Sequence, residues 1–214
     1  MYAAVIVETR ILPNLKEVID NHMSQLPKGW DLVIYHGQTN EKAMRAAAEH
    51  VHTVRFVNMK VHAIDVREYN LLLTSEDFWY GLRNYKKVLI FQSDSMLLRK
   101  GIEEFIYWDY VGAPWEWQIH GGNGGLSIRN PLTMTALLVA RKYNGDNEDT
   151  FFSNTLDTHP YLGKMAPREV CEKFSCETIF RLGTLGYHAI EKYMTKDQIN
   201  QIKTQYNEVP TAEV

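Results

Sequence analysis

Short apolar runs separated by amphipathic segments set the pattern of the first ninety-odd residues. Ala3–Val7, Leu32–Tyr35, Thr53–Val57 and Val88–Gln92 are largely apolar, rich in β-branched or aromatic side chains and too short for helices. Each reads as a buried strand. Between them the spacing changes. Leu15, Val18, Ile19 and Met23 recur at helical intervals after Pro13-Asn14, and Glu41–His50 is an alanine-rich helix. Ile64–Leu82 is mostly helical, with a break expected at Thr74-Ser75, where either hydroxyl can cap the second half. Phe78, Trp79 and Leu82 then face the core. Strands alternating with helices predict a parallel sheet with helices on its faces.

The second half is less regular. Ile102–Trp108 reads as a short helix and Asp109–Trp115 as a strand broken at Pro114. The run Gly121–Gly125 follows, then the strand-like Leu126–Arg129. Asn130-Pro131 opens a helix that runs to about Lys142, with Asn as N-cap and Pro at the first position. A turn at Asn144–Asp146 leads to another helix opening at Glu148-Asp149. Pro167–Phe180 reads as helical and Leu185–Ala189 as extended. Thr195–Gln198 has the spacing of a capping box and starts a polar helix, and the tail Asn207–Val214 is expected to fray. No repeat or linker interrupts the chain. It reads as one α/β domain: a nucleotide-binding half over residues 1–95, a second half over 96–194, and a C-terminal helix and tail over 195–214.

Composition narrows the picture. The 214 residues are 45% apolar, enough to fill one sizeable core. With 23 basic and 26 acidic residues the net charge is −3, which argues against nucleic-acid binding driven by bulk charge. Cys171 and Cys176, on a predicted helix, are too few for a disulfide scaffold and lack partners at zinc spacing. They read as reduced thiols of a cytoplasmic protein. The start, MYAAVIVETR, lacks the pattern of a signal peptide, and no apolar run approaches the ~20 residues that cross a bilayer.

Four clusters could carry chemistry. The strand Val88–Gln92 runs into Ser93-Asp94-Ser95, which puts Asp94 at the rim of the sheet where open α/β folds bind ligands. One carboxylate there can hold a divalent cation, and the cation a diphosphate; alternatively, Asp94 only caps the next turn. Gly121–Gly125 fits neither the dinucleotide fingerprint nor a phosphate loop with its lysine. Its glycines allow a ligand close to the backbone, and Trp115 and Trp117 offer flat faces of the kind sugars stack on, although tryptophans also serve as core. Glu148-Asp149 is a carboxylate pair at a helix start. It suits either the helix dipole or a general base beside the apolar wall of Phe151-Phe152. The imidazole of His188 can bind a Mn2+-like cation or sit hydrogen-bonded as an ordinary histidine.

FQSDS, DYVGAPW, GGNGGLSIR and NEDTFFS, in this order, resemble a GT-A-fold glycosyltransferase family common in large DNA viruses. The N-terminal glycosyltransferase domain of a chlorella-virus protein is one such relative, and similar domains occur in bacteria. The resemblance covers roughly residues 1 to 190. It implies a nucleotide-diphospho-sugar transferase fold, with a mostly parallel central sheet flanked by helices. In GT-A enzymes a D-x-D motif holds Mn2+ and the donor diphosphate. Here the motif reads Gln92-Ser93-Asp94, so only the last acid remains and a further ligand is needed. The resemblance implies that His188 supplies it. It places Thr9 and Arg10 at the nucleobase and phosphates, and Arg67 and Ser75 on a helix that reaches the donor. In many inverting relatives the second acid of an ED pair is the base, which implies Asp149, with Glu148 as runner-up.

The expected activity is transfer of a hexose from a nucleotide sugar, UDP-linked in the first instance, to a glycan acceptor with inversion, assisted by Mn2+ or Mg2+. Asp94 and His188 are the expected metal ligands. Gln92, Ser93 and Asp94 join Thr9, Arg10, Arg67 and Ser75 on the donor. Trp115, Trp117, Gly122, Asn123 and Gly124 face the acceptor. Neither nucleic acid nor a transmembrane segment is expected, and the compartment is the cytoplasm, that of the host if the protein is viral. The first rival is a non-catalytic nucleotide-sugar or carbohydrate-binding module, favoured by the loss of one D-x-D acid. The second is a nucleotidyltransferase, which would need a basic Gly-rich loop after the first strand, where ETRILPNLK stands instead.

Overall fold

In the computed structural model, residues 1–117 and 122–208 are described. Gly121 of the glycine run and the tail from 209, where fraying is expected, lie outside them.

The chain begins β1 (Tyr2–Glu8), α1 (Leu15–Gln25), β2 (Trp30–His36), α2 (Glu41–Ala47) and β3 (Val54–Asn58). Two helices follow, α3 (Val66–Leu73) and α4 (Glu76–Leu82), and then β4 (Lys87–Phe91). The break falls where the sequence places it: Ser75 caps α4 by accepting from the Phe78 N–H. Asp65 and Glu68 close a capping box on α3. The second half holds β5 (Ser95–Leu97), β6 (Tyr110–Val111), β7 (Leu126–Arg129), α5 (Pro131–Ala140) and α6 (Glu148–Thr158). It ends with α7 (Arg168–Phe174), β8 (Ser175–Cys176), β9 (Gly186–His188), α8 (Ile190–Tyr193) and α9 (Lys196–Glu208). Asn130 caps α5 with Pro131 at its first position, and Thr195 and Gln198 exchange the bonds of a capping box ahead of α9.

Six strands form the main sheet in the order β3-β2-β1-β4-β7-β6. β1, β2, β3 and β4 are parallel, and β7 runs antiparallel to both β4 and β6. The sheet is therefore mostly parallel. Side-chain alternation gives it two apolar faces. Ala4, Ile6, Leu32, Ile34, Leu89 and Phe91 pack with α1 and α2, while Ala3, Val5, Val33, Val88 and Ile90 pack with Phe78, Trp79, Met134 and Phe152. Every residue of β4 is buried, and each of its large apolar side chains is worth roughly 1.5–3 kcal/mol of burial. Lys87 enters the interior by donating to the Trp108 carbonyl and pairing with Asp109.

The strand order reverses between β1 and β4. Crossovers run from β1 through α1 to β2 on one side, and the chain continues from β4 towards β7 on the other. At such a switch point the loops diverge and leave a crevice beyond the carboxyl ends of the strands. Here those loops carry Thr9-Arg10 after β1 and Gln92-Ser93-Asp94 after β4.

Three segments differ from the sequence reading. The helix expected over Pro167–Phe180 stops at Phe174, because Ser175 and Cys176 pair in parallel with Gly186 and Tyr187. Cys176 is therefore on a strand, and tertiary pairing overrides local propensity. A small second sheet, β5-β9-β8, results. Ile102–Trp108 forms only a 3-10 turn over Ile102–Glu104 after Gly101, whose φ of 117° suits glycine. The strand expected over Asp109–Trp115 is reduced to Tyr110–Val111. Among the described residues, no helix is long and apolar enough to cross a membrane.

Candidate active site

The loop after β4 folds back on itself, with the Ser95 N–H and hydroxyl both donating to the Gln92 carbonyl, at 3.1 and 2.7 Å. This tight turn projects Asp94 towards β9, where Asp94 Oδ1 lies 3.3 Å from Nε2 of His188. Gln92 Oε1 lies 3.1 Å from the same nitrogen. Residues 96 positions apart in the chain thus meet at one corner, because β9 pairs with β5 directly after the turn, Ser95 opposite His188. On the other side Lys192 Nζ reaches Asp94 Oδ2 at 3.2 Å. Burial works against the Asp94 charge, yet His188 and Lys192 hold its carboxyl well below the usual range. Burial also works against the imidazolium, but hydrogen bonds to Asp94 and Glu177 push His188 up to about 9.

A divalent cation fits this corner on the chemistry of the donors. A carboxylate oxygen and, once its proton is released, an imidazole nitrogen face one another beside an amide oxygen, a set that suits Mn2+ or Mg2+. No three or more His, Cys, Asp or Glu side chains gather to hold a metal among the described residues. A cation here would need diphosphate oxygens or water to complete its shell. A cleft of about 510 Å3 opens beside Asp94, lined in part by Asn14, Glu17, Ser93, Tyr187 and Lys203.

Arg10 stands at the edge of the crevice. It grips Glu8 through two nitrogens, at 2.9 and 2.7 Å, and reaches Ser93 Oγ at 3.3 Å. Thr9 is buried and its hydroxyl accepts from the Ile64 N–H at 3.2 Å, so its side chain anchors the segment before α3. Arg67 is exposed on α3, and the Ser75 hydroxyl caps α4 and donates to the Leu72 carbonyl. The helix nevertheless reaches the site through two residues the sequence reading passed over. Tyr69 meets the Gln92 side chain, and burial together with the nearby Glu148 pushes its hydroxyl up. Asn70 Oδ1 accepts from the Glu148 N–H at 3.1 Å and so caps α6 from outside. A tyrosine and an asparagine on a helix read as ordinary surface or packing residues, and only the docking of α3 on α6 shows their use.

The paired acids divide. Glu148 is 2% exposed and clamped through both oxygens by the fully buried Arg129. The Arg129 guanidinium also lies 5.0 Å from the Tyr110 ring centroid. Glu148 is thus engaged inside the protein. Asp149 turns the other way: its Oδ2 accepts from the Gly124 N–H at 3.0 Å and its Oδ1 from the Thr150 N–H at 2.7 Å. Burial and the neighbouring Glu148 push Asp149 up to about 6, outweighing those N–H bonds and Arg129. Desolvation thereby wins over the helix N-terminus, a contest the sequence leaves open.

The glycine run joins the two corners. A Cβ on Gly125 would sit 2.1 Å from His188 Nε2, and one on Gly124 would sit 2.3 Å from a Glu148 oxygen. Only glycine lets the backbone pass between His188 and the acids. Gly122 and Asn123 are buried. Asn123 spends its amide inside the protein: Nδ2 donates to Glu177 at 2.7 Å and Oδ1 accepts from the Gly125 N–H at 2.9 Å. Trp115 is buried, whereas Trp117 is 70% exposed and stacks on it with centroids 6.0 Å apart.

A family model described as "Protein of unknown function (DUF5672)" matches residues 51–188. No curated protein matches the chain. Solved structures do. A mannosyltransferase from Pyrobaculum calidifontis, in complex with GDP-Man and Mn2+, is 14% identical with a TM-score of 0.50, over 78% of this chain and 53% of that one. The apo glycosyltransferase GlyE of Streptococcus pneumoniae is 11% identical with a TM-score of 0.50, over 92% and 55%. A 4-diphosphocytidyl-2C-methyl-D-erythritol synthase from Anaerococcus prevotii is 11% identical with a TM-score of 0.51, over 73% and 82%. The chain spans about half the length of the two glycosyltransferases. At these identities the likeness shows the fold, which is that of GT-A nucleotide-sugar transferases.

Proposed function

The chain belongs to the DUF5672 family, and we propose that it is a metal-dependent glycosyltransferase that moves a hexose from a nucleotide sugar to a glycan acceptor with inversion. One observation carries the reading: a diphosphate-type corner, Asp94 with His188, and a carboxylate raised to about 6, Asp149, flank the same Gly124-Gly125 backbone. That arrangement supplies a leaving-group side and a base side.

Arg10, Ser93 and Gln92 hold the donor diphosphate in this reading, with the Thr9 backbone at the nucleobase. Arg67 on α3, and Ser75 just beyond its end at the cap of α4, stay as outer donor contacts, while Tyr69 carries the reach of α3. Asp94 and His188 would hold Mn2+ or Mg2+, which would offset charge on the departing nucleoside diphosphate. The acceptor hydroxyl oxygen attacks the anomeric carbon and its proton passes to Asp149. The bond from that carbon to the diphosphate oxygen breaks, and its electron pair leaves with the diphosphate. Trp117 on Trp115, with the Gly122-Asn123-Gly124 backbone, forms the acceptor wall. The donor is UDP-linked in the first instance. The GDP-Man bound by one structural neighbour makes a guanosine donor the next to try. The chain acts as one domain, in the cytoplasm or in that of a host.

Incubation with nucleotide sugars, Mn2+ and mixed glycans tests this by release of nucleoside diphosphate. Binding without release would favour a carbohydrate-binding module. The synthase among the structural neighbours keeps the nucleotidyltransferase reading in view. The segment Glu8–Lys16, from the end of β1 into α1, holds no glycine and so offers no Gly-rich phosphate loop. Pyrophosphate released from a nucleoside triphosphate would mark that reading instead.

A further inference from the structure

Glu177 lies in the bend after β8 and is 4% exposed. Its Oε1 receives two hydrogen bonds, from Asn123 Nδ2 at 2.7 Å and from His188 Nδ1 at 3.1 Å. Its Oε2 is buried and meets no donor among the described residues. A buried carboxylate costs free energy unless it is paired and fully hydrogen-bonded. A glutamine would serve Asn123 equally well without burying a charge. An amide oxygen could accept the bond from the imidazole too, so what a carboxylate adds at this place is charge beside His188.

Both ends of this bridge are tied further. Asn123 Oδ1 accepts from the Gly125 N–H at 2.9 Å, and the Gly125 carbonyl accepts from the Gln92 N–H at 2.9 Å. Gln92 Oε1 in turn lies 3.1 Å from His188 Nε2. The polar contacts close a ring: Glu177, Asn123, Gly125, Gln92, His188 and back to Glu177.

The geometry points to Glu177 as a positioning residue that aims His188 Nε2 at Asp94 and locks the glycine-rich loop to the same imidazole. The donor side and the acceptor side of the site then move as one unit. This inference rests on the function proposed above, which places a cation on Asp94 and His188. With Nδ1–H given to Glu177, Nε2 is the nitrogen that faces the cation. Carboxylates behind ligating histidines set ring orientation, and their loss typically weakens metal binding about 10- to 100-fold.

Wild type, Glu177→Gln and Glu177→Ala separate the roles. Mn2+ is titrated calorimetrically in saturating UDP, and amide exchange at Gly125 is followed by NMR. Glu177→Gln keeps an acceptor for Asn123, so the Gly125 amide should stay as protected as in wild type. Its Mn2+ affinity should nevertheless fall about 10- to 100-fold. In Glu177→Ala the Gly125 amide should also exchange faster. A purely structural glutamate would leave Mn2+ affinity unchanged in Glu177→Gln, and that result overturns the inference alone. Wild type that binds no Mn2+ beside UDP would remove the cation reading, and this inference with it.

Discussion

Asp149 and Gly124 are joined by a 3.0 Å hydrogen bond from backbone to carboxylate, across 25 residues of chain. The contact holds Asp149 against the glycine loop while Arg129 pulls its neighbour Glu148 inward. Consecutive helical residues point about 100° apart, so the two acids have different fates by geometry. Asp149→Asn should leave donor binding intact and cut kcat by ~10²-fold or more, the usual scale for a general base. Steady-state kinetics beside UDP calorimetry check it; near-normal kcat would take Asp149 out of the mechanism.

The raised carboxyl also sets a pH dependence. A base at about 6 is ionised at neutral pH, so kcat should fall roughly tenfold per pH unit below 6. Stability follows the opposite sign. The folded state holds the Asp149 proton more tightly than the unfolded chain does, so acidification through 6 towards the usual carboxyl value stabilises the fold. Above 6 that contribution is absent and the half-buried charge is a cost. Asp149→Asn should therefore raise the Tm at pH 7.5, with the difference shrinking by pH 5. Thermal melts across this range decide it, and an unchanged gap would contradict the burial argument.

Glu148 is tested by stability rather than rate. Glu148→Gln leaves the Arg129 guanidinium buried without its counter-charge, at a cost of roughly 3–5 kcal/mol. For a chain of this length that lowers the Tm by roughly 10 °C, at about 2–4 °C per kcal/mol. Replacing both partners by apolar residues should cost less than replacing Glu148 alone. A double-mutant cycle by denaturant unfolding measures the difference. A Glu148→Gln protein as stable as wild type would show that the pair contributes nothing.

The parallel half of the fold is legible because it is built from local signals. Val88–Gln92, the Ser75 cap and the Asn130-Pro131 start each carry their meaning within a few residues. Asp94 at a strand end and Asp149 at a helix start are found the same way. Glu177 and Arg129 are not. Arg129 ends an apolar strand and looks like its solvent-facing tip, and Glu148, 19 residues on, gives no spacing by which to pair them. Glu177 lies in a segment that reads as helix and is drawn out of it by pairing with β9. Asn123 is visible as an asparagine among glycines, but not that its amide would be turned inward. Long-range contacts decide these, and a single sequence does not print them.

The glycine loop gives a test of the donor corner that spares its ligands. Gly125→Ala would put a Cβ 2.1 Å from His188 Nε2, so the imidazole must move off Asp94. The Mn2+ affinity measured in saturating UDP should fall about as far as in Asp94→Asn. Because a cation with so few protein ligands leans on diphosphate oxygens, Mn2+ and UDP should each tighten the other in wild type. Affinities that ignore one another would sink the two-ligand cation site.

The two tryptophans offer a separation that their spacing alone does not. Trp115 is 6% exposed and its ring lies against Gly122, so Trp115→Ala removes buried area and should cost roughly 3–5 kcal/mol of stability. Trp117 shows 70% of its surface while lying nearly parallel to Trp115, at 14° between planes. An exposed indole held flat by a buried one has lost much of the freedom that binding would otherwise take from it. It presents an apolar face to solvent. If that face stacks on the acceptor sugar, Trp117→Ala should leave the Tm within a degree or two of wild type. It should raise the acceptor KM several-fold without moving the donor KM, the signature of a lost ground-state contact on one substrate only. Equal rises in both KM values would place Trp117 at the donor. No change in either would leave the pair as packing, with the acceptor held elsewhere along the glycine loop.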